Sequence, residues 1–139
     1  MTISPFSPPK SLTNPHLQTI LSSVGLRRRV AHKAFSDYRR SEQREVLECD
    51  DGVKLAGIYN QANDDAKSNK LVILIHGWEG SVESSYMVSM AGHLLNNGID
   101  VFRLNMRDHG DTHDLNSEPF NSTLIDEVIS AMEQIQSRF

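Results

Sequence analysis

Apolar positions along the chain change their period several times, and each change predicts an element. Residues 1–13 are polar and rich in proline and read as an extended arm. Asn14 then Pro15 has the form of an N-cap followed by the first helical position. Leu17, Ile20, Leu21 and Val24 recur at helical spacing, which predicts a short helix over 15–24 that stops at Gly25. Residues 26–41 show no clear period. Residues 45–49 and 53–59 flank Asp51-Gly52, a pair suited to a two-residue hairpin turn, and predict two antiparallel strands. The stretch over 60–69 (NQANDDAKSN) is polar and reads as a loop.

The second half is more regular. Leu71 to Ile75 (LVILI) is a continuous apolar run of branched residues, as in a parallel strand buried on both faces. Tyr86, Met87, Met90, Ala91, Leu94 and Leu95 mark one helical face, and Gly98 ends it. Residues 99–104 (IDVFRL) are the next strand. Strand, helix and strand in this length predict a right-handed βαβ unit. A polar loop fills 105–121. Thr123 and Asp126 stand at capping-box spacing before a last helix, whose apolar face is Leu124, Ile125, Val128, Ile129, Met132 and Ile135. The pattern predicts an α/β protein, a β-hairpin plus a parallel βαβ unit. An arm and short helix occupy 1–44 and the α/β core occupies 45–139.

Composition narrows the class without changing the fold. The chain has 139 residues, 38% hydrophobic and 23% charged, which suits one globular domain. No apolar run approaches the ~18 residues of a transmembrane helix. The N-terminus has three prolines and no apolar stretch of the secretory kind. Cys49 is alone, so no internal disulfide forms, and a cytoplasmic location is expected. The net charge of -4 argues against nucleic acid as a partner. The charge is uneven, however. Residues 1–44 hold 8 Lys+Arg and 2 Asp+Glu, whereas residues 45–139 hold 6 and 16. The basic head reads either as a solvated face or as a contact for an anionic surface.

Candidate chemistry gathers after the two parallel strands. LVILI runs into His76-Gly77-Trp78-Glu79-Gly80. A glycine-rich turn there leaves backbone N–H groups at the C-terminal edge of the sheet, where α/β proteins bind ligands. Such groups stabilise a developing oxyanion. A plain strand-to-helix turn is the equal alternative. After the next strand comes Asn105-Met106-Arg107-Asp108-His109-Gly110-Asp111. Arg107 is suited to pair with Glu79 or Asp108 and so tie the two loops together; a substrate contact is its other reading. His109, Asp111, His113 and Asp114 have ligand-type side chains, but the stretch contains Gly110 and lacks helical spacing, so no metal site is expected. Neither a GxxxxGK[ST] loop nor a GxGxxG loop occurs, and no cofactor is expected. Cys49, in a strand, reads as a buried small residue.

Three segments together carry a resemblance: Asn14-Pro15-His16-Leu17-Gln18-Thr19, then His76 to Ser81 (HGWEGS) with Ser85-Tyr86, and then Asn105 to Gly110 (NMRDHG). With them the chain resembles the α/β-hydrolase family, within it the YheT-like esterase branch, over about residues 12–135. The resemblance implies a serine hydrolase acting on small-molecule carboxylic esters. It implies that the backbone N–H of Trp78 is one oxyanion donor, with His76 and Gly77 shaping the turn. It also implies a strand order of 1-2-4-3, leaving LVILI at the edge. Asp108 departs from the glycine usual in that loop. None of the 8 glycines opens a Gly-x-Ser-x-Gly motif. The nucleophile, the acid and the catalytic histidine of the family therefore have no counterpart, and the chain is expected to be an inactive, truncated part of such a fold. Its open sheet edge is expected to drive self-association or pairing with a complementary C-terminal half. A non-catalytic interaction module using that edge is the alternative.

Overall fold

The computed structural model describes residues 7–23, 25–63 and 68–139. The start of the expected arm, Val24 and the middle of the polar stretch over 60–69 lie outside these residues. Four strands form one sheet: β1 (Gln43–Glu48), β2 (Lys54–Asn60), β3 (Leu71–Ile75) and β4 (Asp100–Asn105). Their spatial order is β1-β2-β4-β3, the order the resemblance implied. β2 is antiparallel to both β1 and β4, while β3 is parallel to β4, with Leu71 opposite Asp100 and Ile75 opposite Leu104.

The hairpin turn is longer than Asp51-Gly52 alone predicts. Glu48 pairs with Lys54, so residues 49–53 make the connection. The Cys49 N–H donates to Val53 O at 2.7 Å, and Asp50–Gly52 forms a 3-10 turn. Of that pair only Gly52 takes the left-handed conformation, at φ 76, whereas a type I′ turn needs two such residues.

Two helices cover the sheet, one on each face. α3 (Ser85–Asn96) packs with Phe35 and Val101, and α4 (Ile125–Arg138) packs on Leu47, Leu55, Tyr59, Phe102 and Leu104. Phe139 closes the second core by stacking on Tyr59, with ring centroids 4.4 Å apart. Alternation along β4 sends Val101 to one core and Phe102 and Leu104 to the other.

Burial departs from the sequence pattern in three places. β4, and not the LVILI run, is the strand buried at every position. β3 is only half-buried from Leu71 to Leu74, and Ile75 is exposed, because β3 has a neighbouring strand on one side only. The buried face of α3 is Met87, Val88, Ala91, Gly92 and Leu95, which leaves Tyr86 and Met90 in solvent. On α4 the buried residues are Glu127, Ser130, Ala131 and Ile135, while Ile125, Ile129 and Met132 are exposed. Nor does the capping box form: Leu124 is the N-cap, and the Thr123 hydroxyl donates to Asn121 Oδ1.

The stretch of residues without a clear period folds into α2 (Leu26–Ala34) and a 3-10 turn (Ser36–Ser41), preceded by α1 (Pro15–Ser23). Asn14 Oδ1 accepts the His16 N–H at 2.9 Å, as an N-cap does. Between α2 and the 3-10 turn, Phe35 is buried against Val88, Ala91 and Leu95. Fully buried Arg103 on β4 reinforces this anchor. Its guanidinium lies over the Phe35 ring and donates to Val82 O at 2.9 Å, Glu42 Oε1 at 2.6 Å and Asn60 Oδ1 at 3.1 Å. Arg39 extends the network by pairing with Glu42 and Glu83. At the other end of β4, buried Asp100 accepts the Tyr59 hydroxyl and the Ala62 and Ser68 N–H groups, holding both ends of the polar loop.

Candidate functional site

β3 and β4 are parallel neighbours, so their C-terminal ends deliver the two candidate loops side by side. His76, the first residue past β3, is only 3% exposed. Its Nε2 accepts the Met106 N–H at 3.1 Å, and its Nδ1 lies 2.8 Å from Gly77 O. This network assigns the proton to Nδ1 and the neutral tautomer to the ring. Burial, the largest influence, pushes the His76 pKa below the usual histidine value. The ring also lies 4.8 Å from that of His109. His76 thus shapes its own turn and fastens it to the loop after β4.

The turn is held from above as well. The Gly77 N–H donates to the Tyr86 hydroxyl at 2.7 Å, and the Gly80 N–H closes back on Gly77 O at 2.9 Å. A Cβ at position 80 would stand 2.8 Å from the Tyr86 oxygen, so the second glycine is required by space. Glu79 is exposed and takes φ 52, a left-handed conformation uncommon outside glycine. Trp78 is 79% exposed, and its N–H donates to no group among the described residues. The turn therefore presents the Trp78 N–H at the sheet edge, and the Glu79 N–H likewise has no acceptor among the described residues.

The second loop is organised differently from expectation. Arg107 pairs with neither Glu79 nor Asp108. It is buried, and its Nε and Nη2 both donate to Glu127 Oε2 on α4, at 3.0 and 2.5 Å, with Glu118 3.5 Å from Nη1. Arg107 follows the chain toward α4 because burial requires a buried counter-charge, and exposed Glu79 supplies none. The two loops are joined instead by His76 to Met106 and by Asn105, whose Oδ1 accepts the Val82 N–H at 2.9 Å. Asp108 stands at φ 58, so the position that departs from glycine keeps the left-handed conformation. Its carboxylate meets His113 Nδ1 at 2.6 Å.

The four ligand-type side chains of this loop do not converge. His109 Nδ1 lies 2.8 Å from Arg107 O, His113 is paired with Asp108, and Asp111 meets Arg44 at 3.3 Å. Among the described residues no group of three or more His, Cys, Asp or Glu is placed to hold a metal ion. Cys49 is buried, and desolvation raises its thiol pKa, so little reactive thiolate is present at neutral pH. Sequence reasoning missed the Tyr86 hydroxyl as a support of the turn, because Tyr86 fitted the apolar period of its helix. The described residues contain no helix long and apolar enough to cross a membrane.

Solved structures resemble this arrangement. An esterase of Pyrococcus furiosus, Pf2001, superposes with a TM-score of 0.61 at 22% identity, over 75% of this chain and 39% of that one. Est1E from Butyrivibrio proteoclasticus gives 0.53 at 21% identity, over 67% and 35%. XC6422 from Xanthomonas campestris, an a/b serine hydrolase without a lid, gives 0.55 at 19% identity, over 70% and 45%. No family model and no curated protein matches the chain. The chain spans less than half the length of these structures. The four-stranded sheet, its helix on each face and the two loops at its C-terminal edge are part of an α/β-hydrolase fold.

Proposed function

We propose that this chain is the N-terminal part of a serine esterase of the YheT-like kind, supplying one side of an oxyanion site and none of the triad. The N–H of Trp78, which has no acceptor among the described residues and follows the parallel strand LVILI, carries the reading. Ester hydrolysis passes through a tetrahedral intermediate whose oxygen gains charge, and a preorganised backbone donor there stabilises it. His76 and Tyr86 fix the peptide groups on either side of Gly77, so the donor is held before substrate arrives. These 139 residues contain no Gly-x-Ser-x-Gly motif, so on this reading they supply neither the nucleophile nor the second donor. The chain by itself is therefore an inactive contributor. Short-chain p-nitrophenyl esters test this: the purified chain should give no turnover above buffer, and hydrolysis abolished by a serine-directed inhibitor would overturn it.

A second reading is favoured by one observation. Beside the open edge of β3, a groove of about 460 Å³ is lined mainly by Leu71, Ile73, Ile129, Met132 and Phe139, with Glu133 and Gln136 of α4 completing it. An apolar groove beside an unpaired strand is suited to strand addition, and a non-catalytic module would use it to bind a partner or a second copy. Light scattering of the purified chain separates the cases. A concentration-dependent dimer supports this use of the edge, and a monomer at all concentrations counts against it.

A further inference from the structure

The N-terminal helices carry a surface that neither loop of the candidate site uses. On α1, Leu17, Ile20 and Leu21 lie one helical turn apart and are 45%, 56% and 52% exposed. About half of each of these side chains is open to solvent. On α2, Val30 is 64% exposed and stands at the rim of a groove of about 620 Å³ shared with Tyr86 and Met90 of α3, which are also exposed. Arg28, Arg29 and Lys33 flank Val30 on the same helix and are exposed. None of the three forms an ion pair with a described residue. The first 36 residues contain five Lys+Arg and no Asp or Glu.

We propose that α1 and α2 dock this chain on an anionic phospholipid surface. Exposed leucine, isoleucine and valine beside unpaired arginine and lysine make the combination that interfacial helices present to acyl chains and headgroups. The charge asymmetry supplies the direction. Residues 45–139 hold 6 Lys+Arg against 16 Asp+Glu, so a negative surface repels the core and attracts the head. The chain therefore approaches in one orientation. Nucleic acid fits this surface less well: α1 and α2 contain no Phe, Tyr or Trp to stack on bases, and the apolar face of α1 would be left in water.

Co-sedimentation of the full chain with vesicles tests the proposal. Binding is expected to vesicles of phosphatidylcholine mixed with phosphatidylserine, not to phosphatidylcholine alone, and it should weaken as salt rises. Changing Arg28, Arg29 and Lys33 together to Gln should lower partitioning about a hundredfold. Changing Leu17, Ile20 and Leu21 together to Gln should also weaken it while keeping the salt dependence. All six residues are exposed, so both variants should melt as the parent does. Three results would overturn the proposal. They are no binding to the mixed vesicles, equal binding to both vesicle types, and an apolar variant that binds like the parent. Binding to heparin without binding to vesicles would assign the head to another polyanion and overturn it equally.

Discussion

His76 accepts a hydrogen bond at Nε2 only while that nitrogen is unprotonated. Protonation would set an N–H against the Met106 N–H and break the fastening between the two loops. The folded state holds the ring neutral below the pH at which a free histidine protonates, as its lowered pKa states. The unfolded chain therefore binds the extra proton first as pH falls below about 6.5. Stability from this group is full above that value and is lost as pH falls through the folded pKa. Urea unfolding at about pH 7.5 and about pH 5.5 should show a loss on acidification that His76→Gln reduces. An unchanged slope in the variant would remove His76 from this role. Gly110 is the second sensitive residue. It sits at φ 67, and a Cβ there would stand 2.8 Å from Asn105 Nδ2, in a side chain that is itself buried and bonded to Val82. Left-handed strain alone costs about 1–2 kcal/mol. With the clash added, Gly110→Ala should cost about 2 kcal/mol or more, read as a lower denaturation midpoint.

Elements were legible where the local signal was also the tertiary one. LVILI gives β3 to the residue, and Gly98 ends α3, because an apolar run and a helix stop act over a few residues. The phase of the helices was less legible. The period in the sequence selects the most apolar face, but α4 buries Glu127 and Ser130 and leaves Ile129 and Met132 out. Glu127 must turn inward to meet Arg107, a contact between residues 20 apart in sequence that no local pattern records. The fully buried strand was misassigned for the same reason. Arg103 and Asn105 break the apolar run of β4, yet both are buried, because three other segments bond the two Nη atoms of Arg103 and the Oδ1 of Asn105. The anchor of α2 belongs at this scale too. Phe35 is its buried link to the core, under the guanidinium of Arg103. Phe35→Ala should cost about 3–5 kcal/mol. It should also free α2, so that trypsin cuts at Arg28 and Arg29 sooner than in the parent. Unchanged proteolysis would show that the ion-pair network alone holds the helix.

At the scale of the whole molecule, burial is asymmetric across the sheet. β1 and β3 are both edges, but they are protected differently. β1 carries the charged residues Arg44, Glu45 and Glu48 along its length. Charge on an edge discourages a second chain from pairing there. β3 carries no charge, and its unpaired side adjoins Ile129 and Met132, which are 49% and 40% exposed. One edge therefore resists pairing while the other invites it. Water contact along that groove is unfavourable by about 25 cal/mol for each Å² of apolar surface, so covering it favours association as concentration rises. The two exposed side chains on α4 offer a test that leaves the core alone. Ile129→Lys with Met132→Lys places two cations beside the β3 edge, where a second copy would place the same two against them. The double variant should melt within about 1 kcal/mol of the parent, because neither side chain is buried. It should remain monomeric at concentrations where the parent associates, as measured by light scattering. If the parent associates and the variant associates equally, the contact lies elsewhere, and the exposed face of α1 is the next apolar surface large enough to carry it.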